Sequence, residues 1–214
     1  MAEPQAQDLA ADVTAGPLGR AALRRVVVWV VCLNLGYFGV EFWVARHIGA
    51  VSLFADSIDF LEDAAVNGLV LLALAWSLRR RTQVAMLMAG LLLVPSLFTL
   101  VAAWQAFATL TPPDPRLLSA AGLGALAINL LCAFLLARFR QQKSSLVRAA
   151  WLSARNDALA NLAIIAAGLL TWAQPSAWPD LVVGLGIFWL NLDAAQSVYR
   201  AAREERRADL LPRA

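Results

Sequence analysis

The stretch SLFADSIDFLEDAAVNGLVLLALAW, residues 52–76, decides the fold because it combines apolar length with four acids. The acids are Asp56, Asp59, Glu62 and Asp63. About 20 apolar residues are enough for a helix to cross a bilayer. Each acid at mid-membrane costs about 2.5–3.5 kcal/mol on insertion scales, so such acids usually have a function. We therefore expect these side chains to face a protein interior.

The composition predicts an all-α membrane protein. Of the 214 residues, 60% are hydrophobic and 15% are charged, whereas soluble domains carry about 25% charged residues. Alternating strand patterns are absent, so helices are expected to satisfy the backbone. We predict six transmembrane helices, at residues 26–45, 51–77, 84–108, 117–137, 149–172 and 181–198, with a kink at Pro95.

The basic residues predict the orientation. Fifteen of the 18 Lys and Arg residues lie before span one, between spans two and three, between spans four and five, or after span six. The positive-inside rule then places both termini in the cytoplasm and the chain in the cytoplasmic (inner) membrane. We predict a cytoplasmic tail at 1–25, a transport domain at 26–200 and a short cytoplasmic tail at 201–214. The net charge of +3 is dispersed over the loops, which argues against a nucleic-acid partner.

Span two carries its acids mainly on one stripe. Residues three or four apart lie on the same side of a helix, so Asp56, Asp59, Asp63 and Asn67 share a face. Glu62 lies to the side of this stripe. Asp59 and Asp63 are one helical turn apart, which allows both carboxylates to reach one ion.

Span five contains a second pair, in WLSARNDALAN (151–161). Ser153 and Asp157 are also one turn apart, and Arg155 lies nearly opposite them. Spans two and five run in opposite directions, so we expect Asp59 to approach Asp157 and Asp63 to approach Ser153. Carboxylate and hydroxyl oxygens bind divalent cations. The pattern therefore predicts a four-cornered oxygen site between two helices.

Several other polar residues are assigned supporting or access roles. Asn34 and Glu41 share a face of span one and are predicted to line an access path or to satisfy a buried neighbour. Asp56 is interpreted as an entrance residue, a charge at the helix start or a ligand. Asn156 and Asn161 are predicted to form hydrogen bonds between helices.

Structural explanations remain open for some of these residues. The buried acids could be packing residues paired with Arg155, although one guanidinium cannot satisfy three carboxylates. Glu62 is the better predicted partner for Arg155. Ser153 could bond the carbonyl one turn back in its own helix instead of a ligand. His47 is predicted to be an exposed loop residue.

Four segments, in order, resemble the cation diffusion facilitator family of zinc-transporter-like metal/proton antiporters. They are Asn34, GAVSLFADSIDFLED (49–63), AAWLSARNDALAN (149–161) and WPDLVVGLGI (178–187). The resemblance implies a transporter rather than an enzyme, with Asp59 and Asp63 as the ligand pair of helix two. It also implies that Asp157 is the Asp of the helix-five pair, whose partner is commonly His in the family and is Ser153 here. The family usually carries a cytoplasmic C-terminal domain, whereas the tail predicted after span six is short. We therefore expect a short subgroup that lacks this domain and forms a homodimer through its membrane helices.

The predicted function is divalent transition-metal efflux. Clustered carboxylates cannot all stay ionised without a cation, and metal binding requires their deprotonation, so metal and protons compete. The resemblance implies that metal leaves as protons enter. A hydroxyl in place of imidazole favours Mn²⁺, Fe²⁺ or Co²⁺, whereas the family implies Zn²⁺ or Cd²⁺. No cofactor is predicted beyond the transported ion.

Other functions are less compatible with the sequence. The alternative is a proton-coupled organic-cation exporter, which would carry a lone acid in an aromatic-rich cavity. An intramembrane aspartyl protease would need a Gly-x-Gly-Asp motif, which the sequence lacks. A membrane scaffold would have no need of the acids.

Overall fold

The computed structural model describes residues 17–73, 97–137 and 145–191, and the regular structure in these ranges is helical. The segments are α1 (Pro17–Ile48), α2 (Val51–Ala73), α3 (Leu97–Thr109), α4 (Pro115–Ala137), α5 (Ser145–Ala173) and α6 (178–191). The predicted all-α class is confirmed over these ranges. Helix α1 begins at Pro17, so part of the tail predicted at 1–25 is helical. The kink predicted at Pro95 lies outside the described residues, as does the tail at 201–214.

The chain is a membrane protein by the character of its helices. Three stretches are long and apolar enough to cross a bilayer: Ala21–Ile48, Pro115–Ala137 and Ser153–Ala173. Helix α2 has 23 residues, but its four acids keep it out of this group. Large apolar side chains face outward, with Trp104, Phe134 and Trp189 each at least 70% exposed. An apolar exterior of this kind suits lipid rather than water. The crossing of the membrane by all six helices stays a prediction.

The centre of the bundle is formed where helices α2, α4, α5 and α6 meet. Leu53 and Ile58 of α2 pack in one buried cluster with Leu118 of α4, Ile164 of α5 and Ile187 of α6. Helix α2 also packs extensively on α1, and α4 on α5. The acid-bearing helix is therefore surrounded on several sides.

A tight reversal joins α1 to α2. Gly49 has a φ of 69°, a left-handed conformation that glycine adopts without steric cost. The amide of Ala50 donates to the carbonyl of Ala45 at 3.1 Å, which is the closing bond of a Schellman end. Helix α2 begins directly afterwards at Val51, the residue at which the second span was predicted to start.

Helix α6 is held against the start of α2. The buried carboxylate of Asp180 accepts hydrogen bonds from the amides of Val51, at 2.7 Å, and Ser52, at 3.1 Å, and from the Ser52 hydroxyl. A Cβ atom placed on Gly184 would lie 2.7 Å from the Ser52 nitrogen. Only a glycine allows this close approach of α6, and the contact sets where the rest of α6 meets α2.

Candidate functional site

Helix α2 turns its acid stripe inward, as its spacing predicts. Asp56, Asp59 and Asp63 are all buried, and Asn67 is buried on the same face. The Asn67 amide donates to the Asp63 carbonyl at 2.8 Å. Glu62 is only partly buried, in keeping with its position beside the stripe.

Ser153 joins α5 to α2. Its hydroxyl donates to Asp63 Oδ1 at 2.9 Å and lies 3.4 Å from Asp157 Oδ2. A hydroxyl has one hydrogen to donate, and the shorter bond directs it to Asp63. The predicted approach of Asp63 to Ser153 is therefore observed. The alternative bond, from Ser153 to the carbonyl one turn back, would need the same hydrogen.

Asp59 is held from a third helix. The Asn191 amide of α6 donates to Asp59 Oδ1, and Asp157 of α5 lies near enough for its charge to act on Asp59. Asn191, which contacts a predicted ligand, was not among the residues predicted from the sequence. The available signal was one amide within the otherwise apolar run FWLNL (188–192).

Of the four predicted ligands, Ser153 contacts Asp63 and lies near Asp157 between α2 and α5, and Asp59 accepts a hydrogen bond from Asn191 of α6. Within the described ranges, no three Asp, Glu, His or Cys side chains converge as a ready-made metal cage. In this structure the Ser153 hydroxyl donates to Asp63 and the Asn191 amide donates to Asp59. A cation would take over oxygens that now accept hydrogen bonds.

Asp56 belongs to a separate buried network. Its Oδ2 accepts a hydrogen bond from the Asn161 amide at 2.6 Å, and Asn161 Oδ1 accepts one from the Asn129 amide at 3.0 Å. The predicted interhelical role of Asn161 is confirmed, since these bonds link α2, α5 and α4. Asp56 is fully buried, so it does not line an entrance in this structure.

Asn34 and Glu41 lie on the buried face of α1. Both are 0% exposed, and their side-chain nitrogen and oxygen atoms have no hydrogen-bond partner in the part of the chain that is described. The Glu41 and Asp56 carboxyl groups are within hydrogen-bonding reach of each other. Both roles predicted for Glu41, lining an access path or satisfying a buried neighbour, stay predictions.

The remaining candidates lie on the outside. Asn156 is exposed and accepts a hydrogen bond from Arg155 at 3.5 Å. That bond lies within α5, so the predicted interhelical role of Asn156 stays a prediction. His47 is exposed, as predicted, but it sits in the last turn of α1 and stacks on Trp43 at 5.4 Å. The pairing of Glu62 with Arg155 stays a prediction.

Comparison with known families gives one match. The family described as the cation efflux transmembrane domain matches residues 27–205. This range holds the acid stripe, the Ser153 link and the Asn191 contact. A comparison with curated proteins finds none that matches the chain.

Proposed function

The chain belongs to the cation efflux family, as the resemblance to the cation diffusion facilitators predicted, and on that premise we propose that it exports a divalent transition-metal ion in exchange for protons. Transport of cations out of a compartment is the activity of this family, which is a family of transporters and not of enzymes. The finer points of the proposal are the site, the ion and the counter-ion.

The contact between Ser153 and Asp63 carries the proposal for the site. It brings α5 against the acid stripe of α2 and places a hydroxyl between two carboxylates. Asp59, one turn from Asp63, faces the charge of Asp157. Oxygen donors of these kinds bind divalent cations. We therefore assign Asp59, Asp63, Asp157 and Ser153 to the ion, and we assign to Asn191 the positioning of Asp59.

Proton exchange follows from the chemistry of the donor set. Buried carboxylates that face one another repel when all are ionised, and a divalent cation removes this repulsion. Without the cation, protons take its place, so the same oxygens hold either metal or protons. Opening of the site to each side of the membrane in turn would couple metal exit to proton entry.

The proposed ions reflect a donor set made of oxygens. With a hydroxyl where the family commonly has imidazole, the site favours Mn²⁺, Fe²⁺ or Co²⁺ more than a histidine-containing site does. Zn²⁺ and Cd²⁺ are included because the family transports such ions. The ion is the substrate, and no further cofactor is proposed.

The arrangement in the membrane extends the proposal. All six helices cross the cytoplasmic membrane, and both termini lie in the cytoplasm, in accordance with the basic residues of the loops. The outward apolar side chains of the helices offer surfaces to lipid and to a second copy of the chain, through which a homodimer would form.

Proteoliposomes containing a pH-sensitive dye test the function. Zn²⁺, Cd²⁺, Co²⁺, Mn²⁺ and Fe²⁺ are offered in turn, and at least one is expected to drive proton counterflow. Lack of proton movement with every metal would contradict antiport. Proton movement driven only by an organic cation would favour the alternative exporter.

Asp157→Ala tests the site. The change removes a carboxylate that faces Asp59, and we expect it to abolish both metal-driven proton flux and metal tolerance in an efflux-deficient host. Asn156→Ala is the matched control, because Asn156 is the preceding residue and is exposed. Full transport by the Asp157 variant would remove this residue from the site.

A further inference from the structure

Glu41 and Asp56 form a carboxyl pair outside the four proposed metal ligands. Glu41 comes from α1 and Asp56 from α2, and both side chains are 0% exposed. Their carboxyl groups are within hydrogen-bonding reach of each other. The α1–α2 reversal brings the two groups together, because they lie at similar distances along the helices from Gly49.

The hydrogen bonds around the pair leave one donor missing. Asp56 Oδ2 accepts from the Asn161 amide. Asp56 Oδ1 and both oxygens of Glu41 are buried and receive no N–H or O–H from the described residues. An ionised carboxylate can only accept hydrogen bonds, so two ionised groups cannot bond to each other. A proton on one of them supplies the donor and avoids burying two adjacent unpaired charges.

We propose that Glu41 and Asp56 share one proton while the metal site is empty and release it when a divalent cation binds at Asp59 and Asp63. The second half of this proposal rests on the proposed function. On release, the charge of the pair changes from −1 to −2 and the proton passes to bulk solvent. No electron is transferred.

The surrounding charges couple the pair to the metal site. Asp56 lies about one helical turn from Asp59. Four other titratable groups interact electrostatically with the pair. They are Tyr37 of α1, Asp59 and Asp63 of α2, and Asp157 of α5. In an empty site these acids oppose a second negative charge on the pair. A bound divalent cation offsets two of these negative charges and so lowers the electrostatic cost of a second charge on the pair.

The amide network favours a proton over a second metal ion. The Asn129 amide donates to Asn161 Oδ1, which leaves the Asn161 NH₂ group directed at Asp56. A cation beside Asp56 would be better matched by the amide oxygen, because metal ions bind oxygen lone pairs and not N–H groups. In this arrangement the Asn161 NH₂ group faces the pair as a donor, which suits a carboxyl oxygen of Asp56.

Infrared spectroscopy of the metal-free full chain in lipid nanodiscs tests the shared proton. The wild type is expected to show a protonated-carboxyl C=O band that shifts in D₂O. The double variant Glu41→Gln with Asp56→Asn is expected to lose this band component. Asn34→Leu, which removes another buried polar side chain from α1, is expected to keep it. An unchanged band in the double variant would overturn the proposal, whether or not the chain transports metal.

Calorimetric titration with Zn²⁺ in two buffers of different ionisation enthalpy tests the release. Glu41→Gln keeps an N–H donor for Asp56 and is expected to bind as many Zn²⁺ ions as the wild type while releasing about one proton fewer per ion. If the Glu41 variant releases as many protons per Zn²⁺ ion as the wild type, the proposed release of a proton from the pair is overturned. Loss of a Zn²⁺ equivalent would make the pair a cation site and overturn the proposal. If neither Zn²⁺ nor Mn²⁺ binds the wild type, the proposed function fails. The infrared band then still shows whether Glu41 and Asp56 share a proton.

Discussion

Asn191 is the residue through which α6 reaches the proposed metal site. Its amide donates to Asp59 and restricts the orientation of that carboxylate. Residues that orient a ligand in this way typically change metal affinity by about 10- to 100-fold when they are removed. We therefore expect Asn191→Ala to weaken metal binding by about that factor without loss of the fold, as measured by metal titration and thermal unfolding.

Asn156→Ala is the control for Asn191→Ala, because it deletes an amide of the same size from an exposed position. Equal affinities for the wild type and the Asn191 variant would show that Asp59 needs no support from α6. A loss of stability without a loss of affinity would assign Asn191 to packing.

The contact between Ser153 of α5 and Asp63 of α2 could be predicted because each candidate pair lies within one helix. Spacing alone puts Asp59 beside Asp63 and Ser153 beside Asp157, and antiparallel packing then brings Ser153 to Asp63. Asn191 could not be predicted in this way. Its contact with Asp59 depends on where α6 docks, which is set by packing between residues far apart in the chain.

At the scale of the helix, Asp180 acts as a cap for α2 from another segment. It satisfies the first two amides of α2, which have no partner within their own helix. Its negative charge also suits the positive end of the helix dipole. We expect Asp180→Ala to lower the free energy of unfolding by about 1–3 kcal/mol, because buried amides lose their acceptor. Denaturant unfolding in detergent measures this loss.

Asp114 provides the comparison for Asp180. It caps α4 from the preceding residue and accepts from the amides of Arg116, at 2.8 Å, and Leu117, at 3.1 Å. Asp114 is exposed, so water can replace part of its contribution, and Asp114→Ala should cost about 1 kcal/mol. A smaller loss at Asp180 than at Asp114 would contradict the buried cap.

Gly184 controls the distance between α6 and α2. The Cβ of an alanine would lie 2.7 Å from the Ser52 nitrogen, which is backbone and cannot rotate away. We expect Gly184→Ala to displace α6, to cost about 1–3 kcal/mol of stability and to weaken metal binding by drawing Asn191 from Asp59. Gly186→Ala is the matched control, since its Cβ would meet nothing within 4 Å. Identical behaviour of the two variants would exclude this coupling.

The helices themselves were largely predictable from apolar length. The start of α2 at Val51 and the end of α4 at Ala137 agree with the predicted spans. The start of α1 was not predicted correctly, because apolar length identifies only the part of a helix that lies in lipid. Helix α1 continues towards its N-terminus through Arg20, Arg24 and Arg25, which an apolar criterion leaves out.

For the whole molecule, metal affinity should depend on pH with a definite sign. Binding requires the carboxyl groups of the site to be deprotonated, so lower pH favours the metal-free form. We expect the apparent affinity to fall as the pH falls through the range in which these groups take up protons. Metal titrations of the reconstituted protein at a series of pH values measure this trend. An affinity independent of pH would remove the basis for proton exchange at this site.

The reversal at Gly49 determines membrane depth as well as chain direction. Because α1 and α2 leave the turn in opposite directions, residues at similar distances from it lie at the same level, as Glu41 and Asp56 do. An insertion between Glu41 and the turn would change that level and rotate Glu41 by about 100° around α1. The pairing of Glu41 with Asp56 therefore depends on the number of residues between each acid and the turn. Insertions and deletions in this hairpin should be tolerated less well than substitutions of side chains.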